Sequence, residues 1–107
     1  MTDNPNFVEF PIDYYNEVND DEALFNELER RLLDLRGDYT DMTSASVNIR
    51  PANLGTQSGV ECTINVQIRP DVRTSTVVAP DALAALKGAL DGIERQVREQ
   101  RERLRGY

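Results

Sequence analysis

The sequence predicts an α+β domain: a two-layer β-α-β-β-β-α chain in which a four-stranded mixed sheet carries both helices on one face. Three observations lead there. Two stretches, one ending at Gly37 and one from Asp81 to Arg105, repeat apolar residues at helical spacing. Four other stretches show strand character, most of them alternating apolar and polar residues with the period of two that a strand requires. One face of those strands is polar but nearly uncharged and the other is aliphatic, so both amphipathic helices belong on the aliphatic side. The 107 residues suffice for one such core. The whole chain, 1–107, reads as a single domain with a loose terminus at 1–6.

In the first strand, Phe7 to Tyr15, the residues Val8, Phe10, Ile12 and Tyr14 share one side, with Glu9 and Asp13 on the other. Pro11 cannot donate a ladder hydrogen bond, so this strand should lie at a sheet edge. Asn19 or Asp20 can cap the first helix, and Asp21 and Glu22 favour the positive end of its dipole. Leu24, Phe25, Leu28, Leu32 and Leu35 form its apolar face. Thr43 to Arg50 alternates again and turns Ala45, Val47 and Ile49 inward. Pro51 to Gly59 is rich in turn formers and reads as a loop. From Val60 to Ile68, residues Val60, Cys62, Ile64, Val66 and Ile68 take the core side. Arg69-Pro70-Asp71 turns the chain into a last β-branched strand, Val72 to Val78. A strand-helix-strand opening calls for a right-handed crossover between parallel neighbours, and the short later links call for antiparallel hairpins.

The final helix carries Leu83, Leu86, Leu90, Ile93, Val97 and Leu104 on one stripe, with Gln100 in the same register. Pro80 and Asp81 suit its start, and arginines crowd its end, where the dipole favours cations. At a rise of about 1.5 Å per residue it is the one element long enough to cover a whole sheet. Gly88 and Gly92, with Ala85, fall away from the stripe. Mid-helix glycines cost about 1 kcal/mol each relative to alanine. Either a partner backbone approaches them closely or the cost is tolerated.

Net charge is −7, and residues 1–22 hold seven acids with no lysine or arginine. The rest of the chain is neutral overall. This balance argues against nonspecific nucleic-acid binding by the whole molecule and leaves room for a local basic patch. A single cysteine, Cys62, excludes an internal disulfide and fits a reducing, cytoplasmic compartment. No apolar run approaches the ~18 residues of a membrane span. Histidine, a glycine-rich phosphate loop, Cys-x-x-Cys and nucleophile motifs are all missing from the sequence. The reading is therefore of a protein that is not an enzyme, with no cofactor, no metal, no membrane and no small-molecule substrate. Asp20-Asp21 reads as a cap rather than a ligand pair, and Cys62 as an inert core thiol.

Lys87, Arg98, Arg101 and Arg105 fall on one narrow flank of the final helix beside the apolar stripe, and Arg95 lies further round. Long cationic side chains spaced along a rigid element are what phosphate contacts require, and arginine adds bidentate geometry. Glu94, Glu99 and Glu102 interleave with them. The same face can therefore be a solvated surface laced with weak pairs three or four residues apart.

The stretch DALAALKGALDGIERQVREQRERL resembles the closing helix of the hibernation-promoting factor and ribosome-associated inhibitor family, also called the sigma-54 modulation family. Asp81, Ala84, Ala85 and Leu86, then Ile93-Glu94-Arg95-Gln96-Val97-Arg98, agree in one register. EALFNELERRLLDLRGDYTDM resembles the family's first helix through Glu22-Ala23-Leu24 and the basic pair Arg30-Arg31. The resemblance covers roughly residues 8–104 and implies the same β-α-β-β-β-α fold. It implies a non-enzymatic translation inhibitor that sits in the messenger and transfer-RNA channel of the small ribosomal subunit and holds idle ribosomes inactive under stress. It puts Arg95 and Arg98 at family arginines, Arg101 and Arg103 where the family has lysine, and Arg30 and Arg31 at the first-helix pair. With Lys87 and Arg105 of the cationic flank, these are the expected 16S rRNA contacts. Lys87 stands where the family usually has an acid, and Gly92 and Glu99 where it has lysine. A chain ending just after this helix is expected to lack the long form's dimerisation domain. The other expectation is a regulatory or protein-interaction module of the same fold, whose acidic first 22 residues meet a basic protein partner.

Overall fold

The computed structural model describes residues 10–18 and 22–105. The readings at 1–9 and 19–21, among them Val8 and the cap at Asn19 or Asp20, lie outside the described residues. The elements are β1 (Ile12–Asn16), α1 (Glu22–Arg36), β2 (Met42–Leu54), β3 (Gln57–Ile68), β4 (Asp71–Ala79) and α2 (Ala82–Arg105). The sheet order is β1-β2-β3-β4, with β1 parallel to β2 and the other neighbours antiparallel. This is the mixed sheet the sequence predicts. α2 lies along β3 and β4 and packs against α1. Both helices contribute to one core with the aliphatic side of the sheet.

Each expected strand forms, with limits that differ from the expected ones in all four. β1 takes the edge, as Pro11 requires; the Pro11 carbonyl accepts from Ala45 N at 3.1 Å just before the strand begins. Tyr14 meets Phe25 edge-on at 5.2 Å, which ties β1 to α1. A register shift between Met42 and Ser44 changes the parity at the start of β2, so Met42 joins Ala45, Val47 and Ile49 in the core.

The expected loop from Pro51 to Gly59 is instead the continuation of the β2-β3 hairpin. Pairing runs on through Pro51↔Val60 to Leu54↔Gln57, leaving Gly55 and Thr56 as the turn. Gly55 has φ +65°, the left-handed geometry that a two-residue hairpin turn selects. Pro51 is tolerated for a specific reason. Glu17 N donates to Ile49 O at 2.8 Å, so odd-numbered residues of β2 point their backbone groups toward β1. The next rung would need an N–H at position 51, and there the β1 pairing has already stopped at Asn16↔Ile49.

α1 buries Leu24, Leu28, Leu32 and Leu35 and ends at Gly37, which has φ +52°. α2 is capped by Asp81, whose Oδ1 accepts from Ala84 N at 2.8 Å. Its stripe needs two corrections. Leu86, Leu90, Ile93 and Val97 are fully buried, but Leu83 is 44% exposed and Leu104 is 61% exposed. The glycine face is also not a free surface. Ala85 and Ala89 are buried. A methyl group at Gly88 would come within 3.0 Å of Val77 Cγ1, and one at Gly92 would run into Ser75 Oγ. The close partner of these glycines is the protein's own β4. Gln100 marks the end of the sheet: its Nε2 donates to Ile68 O and Arg69 O, both at 3.3 Å, and its Oε1 accepts from Arg73 Nε at 2.7 Å. Cys62 is fully buried, and burial pushes its thiol up to about 12, which matches a core thiol.

Candidate nucleic-acid interface

The cations singled out in the sequence divide into two groups. Arg101 is buried, 9% exposed, in the angle between α2 and the end of α1. Its Nε and Nη2 donate to the two Asp41 carboxylate oxygens at 2.8 and 2.9 Å, and its Nη1 donates to Leu35 O at 2.8 Å. The guanidinium also lies over the Tyr39 ring, 3.8 Å from its centroid. It thereby satisfies a carbonyl in the last turn of α1, one that the helix itself leaves open. The Arg101 hydrogen bonds hold the Asp41 carboxyl below its ordinary value, with burial opposing and the opposite charge assisting.

Arg31 makes a second clasp between the helices. It reaches Asp91 at 2.7 Å and Glu94 at 2.9 Å, and its side chain is 16% exposed. Arg30 is exposed and pairs along its own helix with Glu27 at 2.9 Å and Asp34 at 3.8 Å.

Lys87, Arg95, Arg98, Arg103 and Arg105 form the other group. All are exposed, and none lies within ion-pairing distance of a carboxylate among the described residues. The interleaved Glu99 and Glu102 make no close ion pair with them. Asp91 and Glu94 turn toward α1, where Arg31 takes them. Lys87, Arg98 and Arg105 share a flank at intervals of eleven and seven residues, about three turns and two turns of helix. They give a rigid row of separated cations that can meet phosphates spaced apart along RNA.

A 380 Å³ cavity opens where α1 and α2 end together, lined by Leu35, Tyr39, Arg98, Arg101 and Arg105 with Asp34 and Glu102. Sequence reasoning did not single out Tyr39 or Asp41. Each lies about sixty positions from Arg101 in the chain, and no local pattern joins them. The opposite side of the sheet carries Ser46, Asn65, Thr63, Thr74 and Thr76, which bond across strands: Thr74 Oγ1 donates to Asn65 Oδ1 at 2.6 Å, and Thr63 and Thr76 hydroxyls meet at 3.1 Å. Among the described residues, no helix is long and apolar enough to cross a membrane.

Solved structures share this fold. A ribosomal subunit interface protein from Coxiella burnetii aligns with a TM-score of 0.69 and 12% identity, over 85% of this chain and 97% of that one. The crystal structure of the Protein Y N-terminal domain from Thermus thermophilus aligns with a TM-score of 0.58 and 20% identity, over 86% and 96%. Among curated proteins, no sequence matches. Residues 15–105 match the family described as sigma 54 modulation protein / S30EA ribosomal protein. The mixed sheet, the paired helices and this match agree: the chain belongs to the sigma 54 modulation protein / S30EA ribosomal protein family.

Proposed function

We propose that this protein is a ribosome-associated, non-enzymatic translation inhibitor that binds 16S rRNA in the messenger and transfer-RNA channel of the small subunit under stress. One observation carries the proposal. Five cations along α2 stay exposed and make no close ion pair with a carboxylate among the described residues, in a molecule whose net charge is −7. Long-range attraction to RNA is weak for such a molecule, so binding depends on where the cations stand. The family supports the ribosomal direction, as do the two structural neighbours, one a ribosomal subunit interface protein.

The expected RNA-binding residues then take different roles. Lys87, Arg95, Arg98, Arg103 and Arg105 meet phosphate. Arg30 can exchange its exposed intrahelical partners for phosphate at small cost. Arg31 and Arg101 keep the two helices in the relative position that the others need. The test is co-sedimentation of the intact protein with ribosomes across a salt series. Arg98→Glu with Arg105→Glu should weaken binding and lower the slope of log affinity against log salt by about one for each phosphate left without its cation. Arg101 is excluded from this pair because its loss would damage the fold. Pelleting that survives both substitutions and is lost when the acids of residues 1–22 are neutralised would instead favour the module that meets a basic protein partner.

A further inference from the structure

The cavity between the ends of α1 and α2 has features that phosphate binding alone does not call for. The Arg101 guanidinium, itself fixed by Asp41 and also lining the cavity, lies over the Tyr39 ring 3.8 Å from its centroid, yet Tyr39 stays 44% exposed. An aromatic side chain braced in this way loses little freedom when a flat ligand stacks on it. Arg98 and Arg105 stand at the cavity seven residues apart with no ion pair among the described residues, and Glu102 lies between them in sequence. Leu35 adds an apolar wall. The volume of 380 Å³ is ample for a nucleobase. A carboxylate can only accept hydrogen bonds at neutral pH, so Glu102 favours a base that presents amino or imino donors. Aromatic stacking, edge recognition and flanking cations together are how proteins take unstacked bases from single-stranded RNA.

We propose that this cavity is a nucleotide pocket that receives one unstacked base of single-stranded RNA, guanine in preference to uracil. The base stacks at Tyr39, its donor edge meets Glu102, and the phosphates on either side meet Arg98 and Arg105. The assignment rests on the RNA-binding reading above and goes beyond it, because it calls for a base where that reading needs phosphate alone.

The test uses the intact protein and fluorescein-labelled hexaribonucleotides followed by anisotropy. One hexamer carries a single central guanosine among uridines. A second carries an abasic ribose at that position, so the phosphates are unchanged. The guanosine hexamer should bind about tenfold or more tightly than the abasic one. Tyr39→Leu should bring it down to the abasic level, whereas Tyr39→Phe should bind like the parent. Equal binding of the two hexamers by the unaltered protein overturns the pocket, and because no variant is involved, misfolding cannot explain that result. Free guanosine monophosphate binding as tightly as the hexamer overturns the assignment to an RNA strand. Failure of both hexamers to bind overturns the pocket too. Ribosome pelleting in parallel then shows whether the wider RNA reading falls with it.

Discussion

The two halves of α2 do opposite work. From Ala82 to Val97 the helix is seated on β3 and β4 through a small-residue face, Ala85, Gly88, Ala89 and Gly92, beside the larger Leu86, Leu90, Ile93 and Val97. From Arg98 onward it passes the β3-β4 turn, where Gln100 is the last residue to bond the sheet, and its side chains are exposed except for Gln100 and Arg101. In the first half, specificity comes from the absence of side-chain volume. In the second it comes from charge, and a single buried arginine fixes the direction in which the rest project. A rigid cationic row requires both: a seated half that cannot rock, and a projecting half whose cations are not used up in the core.

The largest expected effect comes from filling the seat. Gly92→Leu should lower stability by about 3 kcal/mol or more, since a large side chain there must push Ser75 and β4 aside. Gly92→Ala should be close to neutral: the methyl group displaces the Ser75 hydroxyl, but alanine recovers about 1 kcal/mol of helix propensity. Chemical denaturation midpoints of the two variants decide the matter. Equal midpoints would mean that α2 is free to lift from β4, and the seat would not be the rigid half.

Arg101 supplies the next effect and sharpens the contrast inside the projecting half. Arg101→Ala should cost about 2–4 kcal/mol, because it strands the Asp41 carboxylate and Leu35 O. Arg98→Ala and Arg105→Ala, one turn before and after, should stay within about 0.5 kcal/mol. The Asp41 carboxyl also gives this clasp a pH signature. Its value is lowered in the folded protein, so its contribution is present above the ordinary carboxylate value of 3.8 and disappears as pH falls through the lowered one. The stability gap between the parent and Asp41→Asn should therefore be widest near neutral pH and close in acid. A gap that persists in strong acid would show that the clasp rests on shape rather than on the ion pair.

This division explains which parts of the molecule were legible in the sequence. Strand alternation at Val60–Ile68 and the helical stripe at Leu86–Val97 are local periodicities, and both appear in the core as read. Residues 51–59 misled because turn formers mark a turn only where the strand cannot continue. Pro51 continues it, since its missing N–H faces the side where β1 has run out, a fact of register rather than composition. The glycine face misled because hydropathy does not distinguish a small residue packed against β4 from one left in solvent. At the site, the cationic flank was visible as spacing along one helix. What was not visible was that Arg101 differs from its neighbours, because Tyr39 and Asp41 reach it only through the fold. A helix wheel places Arg101 about 60° from Arg98 and about 40° from Arg105, and that rotation turns it toward α1.

The smallest expected effect tests where the projecting half begins. Leu104 falls on the same stripe as Leu90 by spacing, yet it is 61% exposed while Leu90 is fully buried. Leu90→Ala should cost about 2–5 kcal/mol, as a cavity in the core does. Leu104→Ser should change stability by less than about 0.5 kcal/mol, since it removes apolar surface that water already covers. Thermal or urea denaturation at two protein concentrations checks both at once. A loss above about 1 kcal/mol at Leu104 that grows with protein concentration would mean that a second copy covers this turn in solution. Arg105 beside it would then be less accessible, and the cationic row would shorten to Lys87 and Arg98 on that flank.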